Sequence, residues 1–527
     1  MGRNNDFSDL LGIAALIVVI LNTLLAIFYF VFQLMGIWPF GDLSVRLWEL
    51  VNIVFWICWL VALYTFCPPF RAVMFLTWKA AFRFRLFWVL AALLMGSVVV
   101  LPLLLKDDGT ARGFTQILLT YTLSVITGLL GLSTLWLSCG TLARDVEEAQ
   151  IQMIVVKPIA RWQIWLGKWL GIMALNATLL ALTGGCVYAL LQWRAQKLPT
   201  QPVDQQAILR NEVLVARASL KEKMPDIEGD TDRVMATRLK DATANPGNLK
   251  FVREQIREQV KSVHQVVAPN HLRRFTIDLG WRKDSLRDTP LFVRLRFNAA
   301  STNALGTYRV VIEAGPVESP ARRSRTDYFS ADTFHEFAIP PNLFDESGVL
   351  TIDVQNRSGV ALLFPLEDGM EVLYRDGSFG LNFARGLGII FCWLALMASL
   401  GLASASFLSF PVAAFFSMSL LIVGLSTGTL SSAVESGTVM GVNEETGVAG
   451  SSAVDRVLIP FFKGIVGVFK LVQSFSPIDA LSTGRSITWV QLGLAFTQIV
   501  LLLGGVISLA GIIIFTRREL ASAQTSS

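Results

Sequence analysis

Charged residues are scarce in this sequence. Asp, Glu, Lys and Arg make up 16% of its 527 residues, and 53% of the residues are hydrophobic. A soluble protein of average composition carries about 25% charged residues. The apolar residues also form runs of about 20 or more, long enough to cross a ~30 Å hydrocarbon core. The sequence therefore predicts a mainly α-helical, polytopic membrane protein.

Catalytic and cofactor-binding motifs are missing as well. There is no GxxxxGK[ST] phosphate-binding loop, since Gly167-Lys168 is followed by Trp169. His335-Glu336 lacks the second histidine of a zinc-protease helix, and no cysteine spacing is typical of zinc. We expect no catalytic residue, no metal site and no cofactor bound by this chain, and hence a protein that is not an enzyme.

Ionisable residues are almost absent from the centres of the apolar runs, and Glu49 lies only at the edge of one. A proton-coupled carrier normally needs such groups near the midplane of the membrane. Ion-driven transport is therefore disfavoured, and the energy for any transport must come from a partner. The five cysteines all lie in or beside apolar runs, so we expect no disulfide framework in the polar part of the chain.

Eight apolar runs divide the chain into four parts. The runs are about 10–36, 47–66, 86–105, 118–139, 169–191, 381–403, 410–429 and 489–515. They predict two amino-terminal spans (1–67), three spans with a charged turn (68–192), a polar region (193–380) and three further spans (381–527). The short basic segments around 71–85, 144–168 and 517–518 then share one side. The positive-inside rule places both termini in the cytoplasm and the polar region outside it.

The polar region is long enough to form a domain with its own core. Residues 203–267 have apolar positions at helical spacing, and residues 273–375 alternate as strands do. The strand faces are Phe275/Ile277/Leu279, Val293/Leu295/Phe297, Tyr308/Val310/Ile312 and Leu350/Ile352/Val354. We expect an α+β domain whose second part is an antiparallel sandwich. Its basic and acidic residues nearly balance, so no nucleic-acid partner is expected, whereas binding of a protein or glycan is suggested by fold analogy alone.

Two segments beside the spans mix basic and apolar residues. The first, 68–87, carries Arg71, Lys79, Arg83 and Arg85 among aromatic side chains. It predicts a helix in the cytoplasmic interface of the bilayer, with a positive flank of the next span as the alternative. The second, 455–475, includes Phe461, Phe462, Lys463, Phe469 and Lys470. It predicts an amphipathic helix at the outer interface, with an extra span as the alternative.

The turn between the runs at 118–139 and 169–191 is unusually charged. The candidate functional residues of this turn are Arg144, Asp145, Glu147, Glu148, Gln152, Lys157, Pro158, Arg161 and Trp162. Val146, Ala149, Met153 and Val156 form an apolar stripe at helical spacing beside them. An apolar stripe flanked by charges predicts a helix that docks in a groove of another protein. The alternative is an ordinary surface loop whose basic residues only obey the positive-inside rule.

This hairpin resembles the permease subunits of ATP-binding-cassette exporters, specifically the ABC type 2 permease superfamily. The residues that carry the resemblance are Arg144-Asp145-x-Glu147, Lys157-Pro158-x-x-Arg161-Trp162, Gly167-Lys168-x-x-Gly171, Ser476-Pro477-Ile478-Asp479-Ala480, Gly484-Arg485-Ser486 and Phe515-Thr516-Arg517-Arg518-Glu519-Leu520. The resemblance covers about residues 71–193 and 380–520. The two extra amino-terminal spans and the large polar region depart from the simplest pattern of that family.

The resemblance implies a six-span core in the bacterial cytoplasmic (inner) membrane, with the charged turn acting as a coupling helix. It implies a separate ATPase subunit that holds ATP and Mg, and a second permease subunit, either an identical copy or a homologue. A charge-poor pathway favours export of a hydrophobic, amphipathic or lipid-linked substrate. A second hypothesis is an ATPase-coupled mechanical or scaffold protein whose outer domain binds a protein or glycan without transport. A membrane enzyme has the least support, because no carboxylate pair or nucleophile–base set lies near the membrane surface.

Overall fold

The computed structural model describes residues 68–83, 86–106, 110–148, 159–197, 208–240, 249–301, 306–317, 319–320, 322–426, 431, 434 and 455–518. The predicted spans at 10–36 and 47–66 lie outside these residues. The protein is mostly helical, and it divides into two compact units. One comprises Met1–Val215 and Ser378–Ser527, and the other comprises Ala216–Gly377. The first is called the helical unit below, and the second the sheet unit.

The helical unit is built from long apolar helices. Its described helices are α1 (Pro68–Arg83), α2 (Leu86–Leu104), α3 (Ala111–Glu147), α4 (Arg161–Lys197), α8 (Phe379–Ala405), α9 (Phe410–Leu425), α10 (Asp455–Gln473), α11 (Pro477–Ser482) and α12 (Trp489–Arg517). Within α12, residues Phe496–Gly504 form wide π-helical turns. A short π-helical segment, Leu209–Val213, also belongs to this unit.

Six helical stretches are long and apolar enough to cross a membrane. They are Phe87–Leu104, Ala111–Glu147, Arg161–Gln196, Phe379–Ala405, Leu458–Ser482 and Trp489–Arg517. Five of them coincide with predicted spans. The stretch at 458–482 includes the predicted amphipathic helix, which forms as α10 but also satisfies the length and composition of a span. The predicted span at 410–429 is represented by α9, which has 16 residues and is shorter than the ~20 residues that a span needs.

The hairpin helices α3 and α4 have 37 residues each. At a rise of 1.5 Å per residue, each is about 55 Å long, so both extend well beyond a ~30 Å hydrocarbon core. The charged residues 144–147 and 161–168 therefore lie on helices. The sequence analysis ended the two spans at 139 and 169 and placed these residues between them, because hydropathy ends a span at its first charges whereas the hydrogen-bonded helix continues through them.

Helix α1 packs closely along the first turns of α4. A Cβ on Gly167 would lie 3.0 Å from the Cβ of Val73, and one on Gly171 would lie 2.7 Å from the Cβ of Thr77. Only glycine permits this approach without moving a neighbouring helix. Phe70 and Val73 of α1 are buried, whereas Arg71 and Lys79 are exposed. The two glycines of the Gly167-Lys168-x-x-Gly171 motif thus mark a helix crossing.

The sheet unit contains eleven described strands and three helices. The strands are β1 (Val215–Lys221), β2 (Val266–Val267), β3 (Leu272–Asp278), β4 (Leu291–Leu295), β5 (Asn298–Ala299), β6 (Thr307–Ala314), β7 (Arg323–Ser330), β8 (His335–Ile339), β9 (Val349–Asn356), β10 (Leu362–Leu363) and β11 (Met370–Ser378). The helices are α5 (Ile227–Lys240), α6 (Leu249–Gln265) and α7 (Lys283–Leu286).

The strands form three sheets in the orders β1-β11-β4-β8, β2-β10-β5 and β3-β9-β6-β7. One hydrophobic cluster contains Val293 of the first sheet together with Val310 and Ile352 of the third, so the two larger sheets enclose a common core. All twelve apolar residues of the predicted strand faces are buried. The alternating pattern therefore identified the strands β3, β4, β6 and β9 and the side that faces the core.

The prediction of a helical stretch over 203–267 is correct for α5 and α6 but wrong for β1. Residues 215–221 pair beside β11 in a four-stranded sheet, and Ala218 and Leu220 pack against the core. This pairing partner lies about 150 residues further along the chain, and such tertiary pairing overrides local propensity. The unit also begins later than the predicted boundary at 193, because α4 continues to Lys197 and residues 208–215 belong to the helical unit.

Candidate functional site

The strongest candidate site is the charged hairpin end, defined here as residues 141–148 of α3 and 161–171 of α4. It contains all of the described residues that the sequence analysis assigned to coupling. Gln152, Lys157, Pro158 and the apolar residues 149, 153 and 156 lie outside the described residues. The hairpin end contacts α1, α8, α9 and α12.

An ion pair joins the two arms of the hairpin. Lys168 Nζ lies 2.5 Å from Asp145 Oδ2 and also donates to the carbonyl of Thr141 at 2.6 Å. The lysine side chain is only 7% exposed, so its charge is satisfied by α3 and hardly by water. A buried cation without such partners costs several kcal/mol. The pair therefore fixes the register of α4 against α3.

The end of α3 also holds the start of α9. Glu147 Oε1 accepts a hydrogen bond from the backbone N–H of Phe410 at 2.8 Å. The guanidinium of Arg144 lies 4.4 Å from the centre of the Phe410 ring. A carboxylate at a helix N-terminus satisfies a free N–H and is favoured by the helix dipole. Both residues, although exposed, thus connect α3 to α9.

Arg161 begins α4 and holds the end of α12. Its Nη1 donates to the carbonyls of Phe515, Thr516 and Arg518 at 3.2, 2.7 and 2.8 Å. The last carbonyls of a helix have no partner within the helix, and a cation there is favoured by the dipole. Arg518 in turn donates to the carbonyl of Ser406, at the end of α8, at 3.1 Å.

Two tryptophans connect α4 to α8. Trp165 is fully buried and donates its Nε1–H to Ser406 Oγ at 3.2 Å. Trp169 donates to Ser399 Oγ at 3.0 Å. Together with the crossing of α1 at Gly167 and Gly171, these bonds give the first turns of α4 direct contacts with α1, α3, α8 and α12. Through Glu147, α9 joins the same assembly.

This geometry changes the role expected for several residues. The sequence analysis assigned Arg144 and Arg161 to a docking surface for another protein. Each instead has a partner within the chain. Among the other residues assigned to coupling, Glu148 is exposed and Trp162 is half-buried.

The sequence analysis missed the roles of Lys168, Trp165, Trp169 and Arg518. For Lys168 a signal existed. Asp145 and Lys168 carry opposite charges near the adjoining ends of two consecutive apolar runs, so antiparallel arms can bring them together.

A second polar cluster lies at the other end of α8. Asn382 donates to the carbonyl of Arg485 at 2.8 Å and accepts from the N–H of Ile487 at 2.7 Å. Arg385 donates to the carbonyl of Ile487 and lies 5.2 Å from the Trp489 ring. These contacts hold the turn between α11 and α12 against α8. Arg385, like Lys168, is a buried cation of an apolar helix whose position near a helix end allows it to reach backbone oxygens.

The predicted interfacial residues are placed as follows. On α10, Lys463 and Lys470 are exposed and Phe462 and Phe469 are half-buried, and the Phe469 ring lies against Gly424 of α9. The side chains of Phe461 and Arg83, and all of Arg85, lie outside what the structure describes.

The sheet unit contains a separate pocket of about 510 Å³. It is lined by the polar residues Glu222, Lys223, His264, His271, Arg273 and Arg274. Burial lowers the pKa of Arg273, and the neighbouring Glu222 carboxylate opposes that shift. No group of three His, Cys, Asp or Glu side chains within the described part of the chain could hold a metal ion.

The chain matches no known family model, no curated protein sequence and no solved structure.

Proposed function

We propose that the chain is the transmembrane permease subunit of an ATP-driven ABC exporter, coupled through the charged turn between Arg144 and Trp162 to a separate ATPase subunit. One observation carries this proposal. The charged hairpin end forms hydrogen bonds with α8, α9 and α12, and it packs closely against α1 at Gly167 and Gly171. A movement imposed on this end would therefore reach most of the helical unit at once. ATP and Mg would be held by the partner, since the chain has no phosphate-binding loop of its own.

The remaining parts of the proposal follow from composition and resemblance. The chain has eight spans in the bacterial cytoplasmic membrane, with both termini in the cytoplasm and the sheet unit outside. It assembles with a second permease subunit. The six apolar helical stretches support membrane insertion, and the scarcity of charge in their centres favours a hydrophobic, amphipathic or lipid-linked substrate.

The test distinguishes binding of the ATPase subunit from transmission of its movement through the helical unit. The tagged chain is purified from its native membrane in mild detergent, and co-purifying ATPase is identified. Changing Gln152 and Lys157 to alanine should reduce ATPase recovery, because the sequence assigns both residues to ATPase coupling. Changing Lys168→Met should leave recovery intact, because Lys168 is buried, and should reduce substrate-stimulated ATP hydrolysis several-fold. Failure to recover an ATPase with the native chain in several detergents would overturn the proposal.

A second candidate function is an ATPase-coupled mechanical or scaffold role without transport. The observation that favours it is the sheet unit, which has a core of its own and a polar pocket suited to a protein or glycan ligand. Reconstitution in vesicles with the ATPase distinguishes the two functions. ATP-dependent movement of a labelled amphiphile across the membrane supports the permease, whereas ATP hydrolysis without movement of any tested amphiphile supports the scaffold.

A further inference from the structure

Strand β7 ends the third sheet of the sheet unit, with β6 as its neighbour. Its eight residues pair with β6 in one unbroken antiparallel register. Alternate residues of an antiparallel strand point their backbone N–H and C=O groups away from the neighbouring strand. The outward groups of residues 323–329 have no partner among the described residues. β7 is therefore an edge to which another strand can be added.

This edge is exposed on both faces of the sheet. Residues 323–326 are all exposed, and the large aromatic side chain of Tyr328 is 67% exposed. Proline, lysine and bulges usually protect an edge strand from pairing with another molecule. β7 contains no proline or lysine, and its continuous register with β6 leaves no bulge.

The opposite edge of the same sheet differs. It is formed by β3, and the backbone N–H of Thr276 in that strand donates to Glu222 Oε1 at 3.5 Å. A side chain of the sheet unit thus occupies part of the β3 edge. Of the two edges of this sheet, β7 is the more open to a strand from another molecule.

The charges on β7 make the strand complementary to itself. Arg325 and Asp327 are two residues apart and hence on one face of the strand, where Arg325 Nε contacts Asp327 Oδ2. Consider β7 paired antiparallel with β7 of a second copy, with Thr326 opposite itself. Each Arg325 is then opposite an Asp327 of the other copy. Opposite charges at facing positions of two strands stabilise their pairing, and this register provides two such pairs.

The neighbouring registers lack this complementarity. A pairing centred on Arg325 places two guanidinium groups opposite each other, and one centred on Asp327 does the same with two carboxylates. Like charges directly opposite each other are destabilising. A pairing centred between two residues is excluded, because it would place outward backbone groups opposite inward ones. The charges therefore select the register centred on Thr326.

We propose that two copies of the chain pair edge to edge through β7, with Thr326 of one copy opposite Thr326 of the other. Eight strand residues provide about 27 Å of edge. An identical copy is the partner because β7 is complementary to itself in this register. The pairing needs neither an ATPase nor transport, so this proposal and the permease function can fail separately.

Cysteine cross-linking of the full chain in mild detergent tests the register. Thr326→Cys places the two thiols opposite each other, at the Cα separation of about 4.5–5.5 Å of antiparallel pairs, which a disulfide can bridge. Ser324→Cys is the matched control, because Ser324 is exposed on the same face but would lie about 14 Å from its own copy. After oxidation with copper phenanthroline, we expect several-fold more linked dimer from Thr326→Cys than from Ser324→Cys. The native chain gives the background from its own five cysteines.

Charge variants in the Thr326→Cys background test the two ion pairs. Arg325→Asp in both copies, or Asp327→Arg in both copies, places like charges opposite each other and should lower the dimer yield several-fold. Co-expression of one tagged copy with Arg325→Asp and a differently tagged copy with Asp327→Arg should restore the cross-link between the two tags. Every acidic residue then faces an arginine of the other copy. The ion pair within each strand stays broken in this mixture, so recovery reports contact between copies.

Equal dimer yields from Thr326→Cys and Ser324→Cys would overturn the proposal. So would a mixture of the two charge variants that forms no more cross-link than either variant alone. If a charge variant fails to fold, the two cysteine variants still decide the question, because they keep the native charges.

Discussion

The helical unit and the sheet unit both bury cationic side chains, but they satisfy them in different ways. In the helical unit, Arg161 and Arg385 donate to backbone carbonyls at helix ends and turns, and Lys168 reaches both a carbonyl and a carboxylate. In the sheet unit, Arg217 pairs with Glu336, and Arg274 and Arg322 both pair with Asp353.

The difference follows from secondary structure. A helix ends with four carbonyls that lack intrahelical partners, so each helix end supplies acceptors without an added acidic residue. A strand inside a sheet has its carbonyls already paired, and a buried cation there requires a carboxylate. A unit built from helices can therefore hold cations with few carboxylates in its interior. The comparison yields four predictions, ordered by the size of the expected effect.

The largest effect is expected from removing one partner of a buried pair. Arg217 and Glu336 have side-chain exposures of 1% and 3%. Arg217→Met removes the guanidinium that pairs with the buried glutamate, which should lower the free energy of unfolding of the sheet unit by about 3–5 kcal/mol. Hydrogen exchange of β1 and β8 in the detergent-solubilised chain measures the loss.

The double variant Arg217→Met/Glu336→Leu tests the reason for that loss. It should recover most of the stability, because replacing both charges by apolar groups removes the desolvation penalty. Arg233→Met is the control, since Arg233 is 82% exposed. If the double variant is no more stable than the single one, the contribution of Arg217 is packing and not charge.

The second prediction concerns the stability of the sheet unit at low pH. Burial by itself raises the pKa of Asp353, but the hydrogen bonds and charges of Arg274 and Arg322 outweigh burial and lower it below its ordinary value. A carboxyl whose folded-state pKa is lowered stabilises the fold above its unfolded pKa of about 3.9, and the stabilisation is lost as pH falls through the folded-state value. The sheet unit should therefore weaken below about pH 4.

Calorimetry of the native chain and of Asp353→Asn at several pH values measures this effect. The variant should unfold at a lower temperature than the native chain at pH 7, and the difference should shrink as the pH falls below 4. A difference that stays constant down to pH 2 would contradict the assignment.

A smaller effect is expected at the end of α12. Arg161→Met removes hydrogen bonds from a charged donor, each worth roughly 1.5–3 kcal/mol when both groups are desolvated. Thr516 is exposed, so water can replace part of the loss, and we expect about 1–2 kcal/mol. Faster hydrogen exchange over residues 512–518 would report it. The stability of the Arg161→Lys variant should lie between those of the native chain and Arg161→Met, because an ammonium keeps the charge but not the planar donor geometry.

The smallest effect is expected for an exposed version of the same kind of pair. Glu228 of α5 lies 3.2 Å from Arg253 and 2.9 Å from Arg257 of α6, and all three side chains are about half exposed. Glu228→Gln should cost less than 1 kcal/mol, since water screens exposed pairs, and the cost should fall further at 1 M salt. A cost as large as that of Arg217→Met would mean that the type of partner matters more than burial.

The sequence predicted the parts of the fold that depend on neighbouring residues. Alternation along Tyr308, Val310 and Ile312 identified β6 and its buried face, and long apolar runs identified α3, α4 and α8. The same reasoning missed β1, whose partner strand is far away in sequence. It also could not find the acceptors of Arg161, which lie more than 350 residues further along the chain. Contacts between distant segments depend on how helices pack, and no local pattern encodes them.

The first and last residues of the sheet unit lie close together in space. It begins within β1 and ends within β11, which are adjacent strands of one sheet, and a Cβ on Gly377 would lie 4.0 Å from the Cβ of Ala216. Adjacent strands are about 4.8 Å apart, so a linker of a few residues could replace the whole unit. The sheet unit can thus be treated as an excisable segment of the chain between α4 and α8. Segments of other size and specificity could occupy that position without altering a single helix.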